Sequence, residues 1–255
     1  MIPKIIHYCW FGGGELPELD RKCIESWKKY CPDYEIIEWN EKNYDVTQNR
    51  YMHEAYKAHK LGFVPDYARF DIVYQNGGIY MDTDVELVKP LDELLALSGY
   101  MGLENGNWVN GGMGFGAEKG NEVMKLLRDM YDDKTFYNPD GTMNLTPSPY
   151  YITDLLVSLG LKRENTEQEV KGITIFPTDV LSPKDYETGK IKCTNRTFSI
   201  HHYNGSWLGP WKRVKRKIIQ VIGLKNFKRI ARLKKIVICL KNFKRIARLK
   251  KIGKK

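Results

Sequence analysis

The sequence predicts an α/β domain built on a mixed, mainly parallel sheet flanked by helices, and three observations carry that prediction. Strand-like and helical segments alternate along the first two hundred residues, the pattern of parallel-sheet domains. One segment, GGIYMDTDVEL at 77–87, follows a helical stretch directly and alternates in character. As a strand it would show Tyr80, Asp82, Asp84 and Glu86 on one face, with Ile79, Met81, Thr83, Val85 and Leu87 on the other. Finally, 255 residues with 42% hydrophobic content suffice to bury the core of one large globular domain.

The elements read as follows. KIIHYCWF is a first strand ending in Gly12-Gly13-Gly14, and LPELDRKCIESWKKY a helix whose Leu19, Cys23, Ile24 and Trp27 recur at helical spacing. DYEIIEWN is a second strand. Two helices follow, YMHEAYKAHKLG closing on Gly62 and PDYARFDIVYQNGG opening on Pro65 and closing on Gly77. The acidic strand comes next. KPLDELLAL reads as a short helix, YMGLE and WVNGGMGFGA as short strands, NEVMKLLRDMYDD and PYYITDLLVSLG as helices, and GITIFP and TFSIHHYN as returning strands.

Charge divides the chain at about residue 210. The net charge is +10, yet Trp211 to Lys255 hold 19 Lys and Arg and no acid, leaving 22 basic and 31 acidic residues in 1–210. The basicity therefore belongs to the tail at 211–255. The segment LKNFKRIARLKKI occurs there twice, at 224–236 and 240–252. Its Lys225, Lys228, Arg229, Arg232 and Lys235 cluster on one arc of a helix, while Leu224, Phe227, Ile230 and Leu233 spread over the rest. That pattern describes a basic amphipathic helix suited to an anionic membrane surface. A solvated basic tail is the plainer reading, and nucleic acid is a less favoured partner. The five cysteines form no C-x-x-C pair and read as reduced thiols. MIPKIIHYCWFGGG is too short an apolar start for a signal peptide and IVICL at 236–240 too short to cross a bilayer. The expectation is a cytoplasmic protein lying peripherally on the inner face of the plasma membrane.

Three chemistries place D-x-D at a strand end. In nucleotide-sugar transfer the pair holds Mn²⁺ or Mg²⁺ against the donor diphosphate. In haloacid-dehalogenase-type phosphatases the first Asp is a nucleophile and the second an acid. The third is a solvated strand edge without chemistry. A phosphatase would carry D-x-D on its first strand with a further acidic motif downstream, so that reading weakens here.

KIIHYCWFGG together with PDYARFDIVYQNGGIYMDTDVE resembles glycosyltransferase family 32, the D-x-D sugar transferases, from Ile2 to about Trp207. The resemblance implies a GT-A fold at 1–210, a nucleotide-diphosphate sugar donor (a UDP-sugar being favoured), a divalent cation and retention of anomeric configuration. It implies hexose transfer to a glycan or lipid-linked saccharide, as in capsular, exopolysaccharide or lipopolysaccharide synthesis. By the same resemblance Asp82 and Asp84 are the metal pair, and Tyr80 sits near the phosphates. Asp66 and Arg69 hold donor hydroxyls and phosphate, although a helical i,i+3 ion pair explains that spacing too. Trp10 lies against the base, with His7 assigned beside it on the donor side. Asn110, next to Gly111-Gly112, is a donor contact. One of His201 and His202 completes the metal shell, His202 being favoured, and Ser206 and Trp207 close over the diphosphate. Glu104 is a nominal carboxylate for a covalent route. A non-catalytic lipid- or nucleic-acid-binding protein on a decayed transferase fold is the alternative, against which the intact Asp82, Asp84, Asp66 and Arg69 argue.

Overall fold

The computed structural model of the chain describes residues 1–105 and 107–205, with 214, 218–221, 223 and 226 beyond them. The chain divides into two compact units, Met1–Asp185 with Ile191–Trp207, and Tyr186–Lys190 with Leu208–Lys255. The named elements all fall in the first. Apart from Asn226, the duplicated tail segment lies outside the described residues. No helix among the described residues is long and apolar enough to cross a membrane.

The first half runs β1 (Ile5–Cys9), α1 (Glu18–Tyr30), β2 (Glu35–Trp39), α2 (Arg50–Lys57), α3 (Pro65–Asn76), β3 (Gly78–Tyr80) and β4 (Val85–Leu87). The second runs β5 (Gly99–Glu104), β6 (Trp108–Val109), β7 (Phe115–Ala117), α4 (Glu122–Asp129), α5 (Ser148–Ser158), β8 (Gln168–Val170), β9 (Ile173–Phe176), α6 (Thr178–Leu181) and β10 (Ser199–His201). KPLDELLAL forms a 3₁₀ turn over Asp92–Ala96 rather than an α-helix. β8 and α6 carry too few periodic residues to be foreseen from pattern.

The main sheet is ordered β2-β1-β3-β7-β5-β9-β8, with β6 paired to β5. β2, β1 and β3 are parallel to one another, β5 and β9 are parallel, and β7 runs antiparallel between β3 and β5. This is the mixed, mainly parallel arrangement that the sequence led us to expect. Apolar residues pack on both faces: Tyr51, Met52, Phe70, Phe115 and Phe136 in one cluster, Ile24, Trp27, Leu94 and Tyr100 in the other. Burying such side chains stabilises the fold by about 1.5–3 kcal/mol each.

The acidic strand is broken, a correction to the sequence reading. β3 ends at Tyr80, residues 81–84 turn with Val85 N–H donating to Asp82 O at 3.1 Å, and β4 leaves the main sheet to pair antiparallel with β10. Alternation over 77–87 therefore does not set the acids' directions. Gly77 and Gly78 force the approach to β3: both have positive φ, 70° and 101°. A Cβ on Gly78 would lie 2.9 Å from Ile5 O, so the backbone of β1 comes too close for any side chain.

Candidate metal and donor site

Order in a parallel sheet locates a crevice before any side chain is considered. The chain passes from β1 outward to β2 and then returns to the other side of β1 as β3, and ligands bind outside the carboxyl ends of strands at such a reversal. Trp10 follows the carboxyl end of β1, Asn40 that of β2, and the D-x-D turn that of β3.

At that edge Asp82, Asp84 and His201 come together, with one ligand atom from each lying within 4.8 Å of the others. Each is held by its own partners. Tyr80 Oη donates to Asp82 Oδ1 at 3.0 Å, and Asp82 N–H donates to Gly112 O at 2.9 Å. Asp84 Oδ2 accepts from Asn204 N–H at 2.6 Å, Asp84 O accepts from His202 N–H at 2.9 Å, and Oδ1 lies 3.3 Å from His201 Nε2. Tyr203 makes this wrap possible through a left-handed backbone, φ 55°, and its ring stacks on that of His201 at 4.1 Å.

Arg69 and Asp66 lie on α3, both 4% exposed. The guanidinium Nη2 is 3.2 Å from Asp66 Oδ1 and 3.6 Å from Asp82 Oδ1, and its carbon sits 5.2 Å over the Tyr80 ring. The i,i+3 ion pair therefore forms, and it extends to Asp82 as well. Asp66 is sunk deeply enough that burial raises its carboxyl to about 6 despite Arg69 and a hydrogen bond from Ser148. Burial raises Asp82 as well, reinforced by the charge of Asp84 and opposed by Arg69. Asp84 ends the other way: burial pulls upward, but the charge and hydrogen bond of His201 bring it down to about 2. One carboxylate of the pair is thus ionised throughout the physiological range.

The set fits a hard divalent cation. Two carboxylates and an imidazole supply oxygen and nitrogen donors of the type Mn²⁺ accepts. Among the described residues Nδ1 of His201 is buried without a hydrogen-bond partner. The histidine placed with the pair is His201, whereas the sequence reading favoured His202. His202 Nε2 instead lies 2.8 Å from Glu86 Oε2, and Lys184 Nζ lies 3.4 Å from its Nδ1.

The remaining expected residues divide. Trp10 is half-buried, donates from Nε1 to Gly14 O at 2.5 Å and lines a groove of about 300 Å³ with Leu16, Glu38 and Asn40, on the same sheet edge as Asp82. Asn110 braces the site: its Oδ1 accepts from Gly112 N–H at 2.7 Å and its Nδ2 donates to Glu104 Oε2 at 2.8 Å. Gly112 is needed there, because a Cβ would fall 2.1 Å from Asp82 Oδ2. Burial raises the Glu104 carboxyl, with Asn110 opposing it. His7 is corrected outright. It is 0% exposed, with Nε2 bonded to Gly77 O at 2.9 Å and Nδ1 accepting from Trp39 Nε1 at 3.1 Å, so no face remains for a donor. Burial lowers its pKa to about 4, keeping the ring neutral. Ser206 and Trp207 lie outside the described residues.

One residue of this neighbourhood escaped the sequence reading. Asp20, on α1, is 4% exposed and touches both the D-x-D turn and the segment after β10.

The family described as a glycosyltransferase sugar-binding region containing a DXD motif matches residues 17–100. Over 102 residues the chain is 33% identical to inositol phosphoceramide mannosyltransferase 3 of Schizosaccharomyces pombe, which covers 37% of this chain and 27% of that protein. Over this stretch the chain is similar to the D-x-D sugar transferases of family 32 type. It is 24% identical over 216 residues to mannosyl phosphorylinositol ceramide synthase CSH1 of Saccharomyces cerevisiae, covering 81% of this chain and 53% of that one. It thus spans about a quarter to a half of the length of these two relatives. A solved structure, PaToxG Glycosyltransferase, aligns with a TM-score of 0.47 at 19% identity, covering 62% of this chain and 69% of that one.

Proposed function

We propose that this chain transfers a hexose from a nucleotide-diphosphate sugar, a UDP-sugar in the first instance, to a hydroxyl of a glycan or lipid-linked saccharide, with retention of configuration. The observation that carries the proposal is the convergence of Asp82, Asp84 and His201 beside the buried Arg69 and Asp66, on the carboxyl edge of the sheet. Capsular, exopolysaccharide or lipopolysaccharide glycans are acceptors compatible with that chemistry. The names of the fungal relatives support mannose as a sugar to test and an inositol-bearing ceramide as a model lipid acceptor.

Each residue has a definable task. Asp84 and Asp82 with His201 would hold Mn²⁺ or Mg²⁺, which when bound would supply Lewis-acid stabilisation of the departing diphosphate. Arg69 keeps a fixed positive charge at the same point, where negative charge grows as the sugar leaves, and Asp66 fixes the direction of its fork. Tyr80 holds Asp82 in one rotamer through its hydroxyl. Trp10 offers an aromatic face to the base, a contact of about 1–3 kcal/mol.

The test is release of nucleoside diphosphate from a panel of UDP- and GDP-sugars without acceptor, with Mn²⁺ and with chelator. Metal-dependent hydrolysis of one donor is the expected result. The reading fails if no donor is hydrolysed or bound. In that case the decayed-fold alternative takes its place.

A further inference from the structure

We infer that Asp20 is a positioning residue that holds the two halves of the metal site in register, an inference resting on the metal reading just proposed. The site is assembled from segments far apart in the chain, the D-x-D turn and the 201–204 segment after β10. Among the contacts described above, the bonds of Asp84 link the turn itself to this segment, while the β4–β10 pairing and the His202–Glu86 contact join the two just beyond the turn. Asp20 links them from behind. Its Oδ2 accepts from Thr83 Oγ1 at 2.7 Å, and Thr83 is the residue between the two acids. Its Oδ1 accepts from Asn204 Nδ2 at 3.2 Å, and Asn204 is the residue whose N–H holds Asp84 Oδ2.

The placement is electrostatically unfavourable, which argues for a task beyond packing. Asp20 is buried, and the charges of Asp84 and Asp82 act on it with the same sign. Such a carboxylate is expensive to keep. Its chemistry is nevertheless the one the position demands. Thr83 and Asn204 both approach as donors, and an ionised carboxylate is the side chain that accepts through both of its oxygens. Asparagine at 20 would keep both contacts only by reversing one of them, its Nδ2 donating to Thr83 Oγ1 where the carboxylate accepts, and it would remove the charge. The helix that carries Asp20 is itself anchored to the site. Trp27 Nε1 donates to Val85 O at 2.6 Å, and Leu87 N–H donates to Ser26 Oγ at 2.8 Å. α1 therefore grips the chain immediately before and after Asp84.

A charge effect and a positioning effect are separable, because Thr83→Val removes a hydrogen bond and leaves every charge in place. The experiment measures Mn²⁺ affinity of the full chain from the free-ion paramagnetic signal, with and without UDP. It compares wild type, Asp20→Asn, Thr83→Val and the double variant, each alongside its melting temperature. Loss of supporting hydrogen bonds around a metal site costs about 10–100-fold in affinity. The expected result is a loss of about tenfold in each single variant. The double variant should be weaker than the single variants by less than the product of their losses, since both changes act on the same bond. Thr83→Val binding like wild type overturns positioning and leaves only a charge effect, and multiplying losses in the double variant overturn the shared bond. Unchanged affinity in all variants removes the clamp while leaving the metal reading standing. Failure of the wild type to bind Mn²⁺ under either condition overturns both. Where Asp20→Asn does not fold, Thr83→Val carries the test.

Discussion

A Cβ at Gly112 would lie 2.1 Å from Asp82 Oδ2, too close for two non-bonded atoms, while Asn110 and Asp82 hold the Gly112 backbone from both sides. Something must yield, and the carboxylate is the movable party. Gly112→Ala should therefore reduce Mn²⁺-dependent donor hydrolysis at least a hundredfold while leaving the fold intact by circular dichroism. Undiminished turnover would show that Asp82 need not point where it does. Asp66 gives a prediction in pH. Its carboxyl is raised from 3.8 to about 6, so the folded state favours the protonated form. The stability this gives is present below about pH 4 and lost as pH rises to 6, about 3 kcal/mol in all. Asp66→Asn should accordingly raise the melting temperature at pH 7.5 relative to wild type and leave it little changed at pH 4, at the expense of activity. A gain at pH 4 alone would reverse the sign and refute the burial argument. At this scale the sequence was informative where residues are neighbours in the chain: Asp82 with Asp84, and Asp66 with Arg69. It was silent on Asp20, whose partners lie 63 and 184 residues away. It favoured His202 over His201 because nothing local announces the left-handed turn at Tyr203, which folds the chain back onto Asp84.

Helix α1 shows how an element serves a site it does not belong to. Its inward face carries Asp20, Cys23, Ile24 and Trp27, and Trp27 is 0% exposed with its indole nitrogen bonded to Val85 O. Trp27→Phe keeps most of the apolar contact and strands that carbonyl. A cost of about 1–3 kcal/mol in urea unfolding is expected, and an unchanged midpoint would mean that water or a shifted β4 satisfies Val85. The helical period around Leu19, Cys23, Ile24 and Trp27 foretold the buried face, but not that Trp27 would use its polar edge. The break between β3 and β4 had no such forewarning. Alternation over 77–87 satisfies a continuous strand, yet the tertiary demand that β4 pair with β10 rather than continue in the main sheet prevails. Sheet order, which locates the crevice, is likewise set by contacts between distant segments.

For the molecule as a whole, charge is partitioned: 22 basic and 31 acidic residues up to 210, then 19 basic residues and no acid. A basic tail with interleaved Leu, Phe and Ile is the feature by which we propose that the chain reaches an anionic membrane surface, each cation near that surface contributing about 1 kcal/mol. Flotation with vesicles containing phosphatidylserine should carry the full chain upward and leave behind a chain ending at Pro210; equal flotation of the two would remove the tail from the account. Whatever the tail does, the central claim concerns the group formed by Asp82, Asp84 and His201. Its most direct test is nucleoside-diphosphate release by wild type and by Asp84→Asn, from the donor that the panel identifies, across a Mn²⁺ titration. The account predicts turnover that rises with Mn²⁺ in wild type and is reduced at least a hundredfold in the variant at every metal concentration, with the metal-free variant still folded by circular dichroism. Equal turnover of the two proteins, or turnover in wild type that persists with chelator, would contradict it.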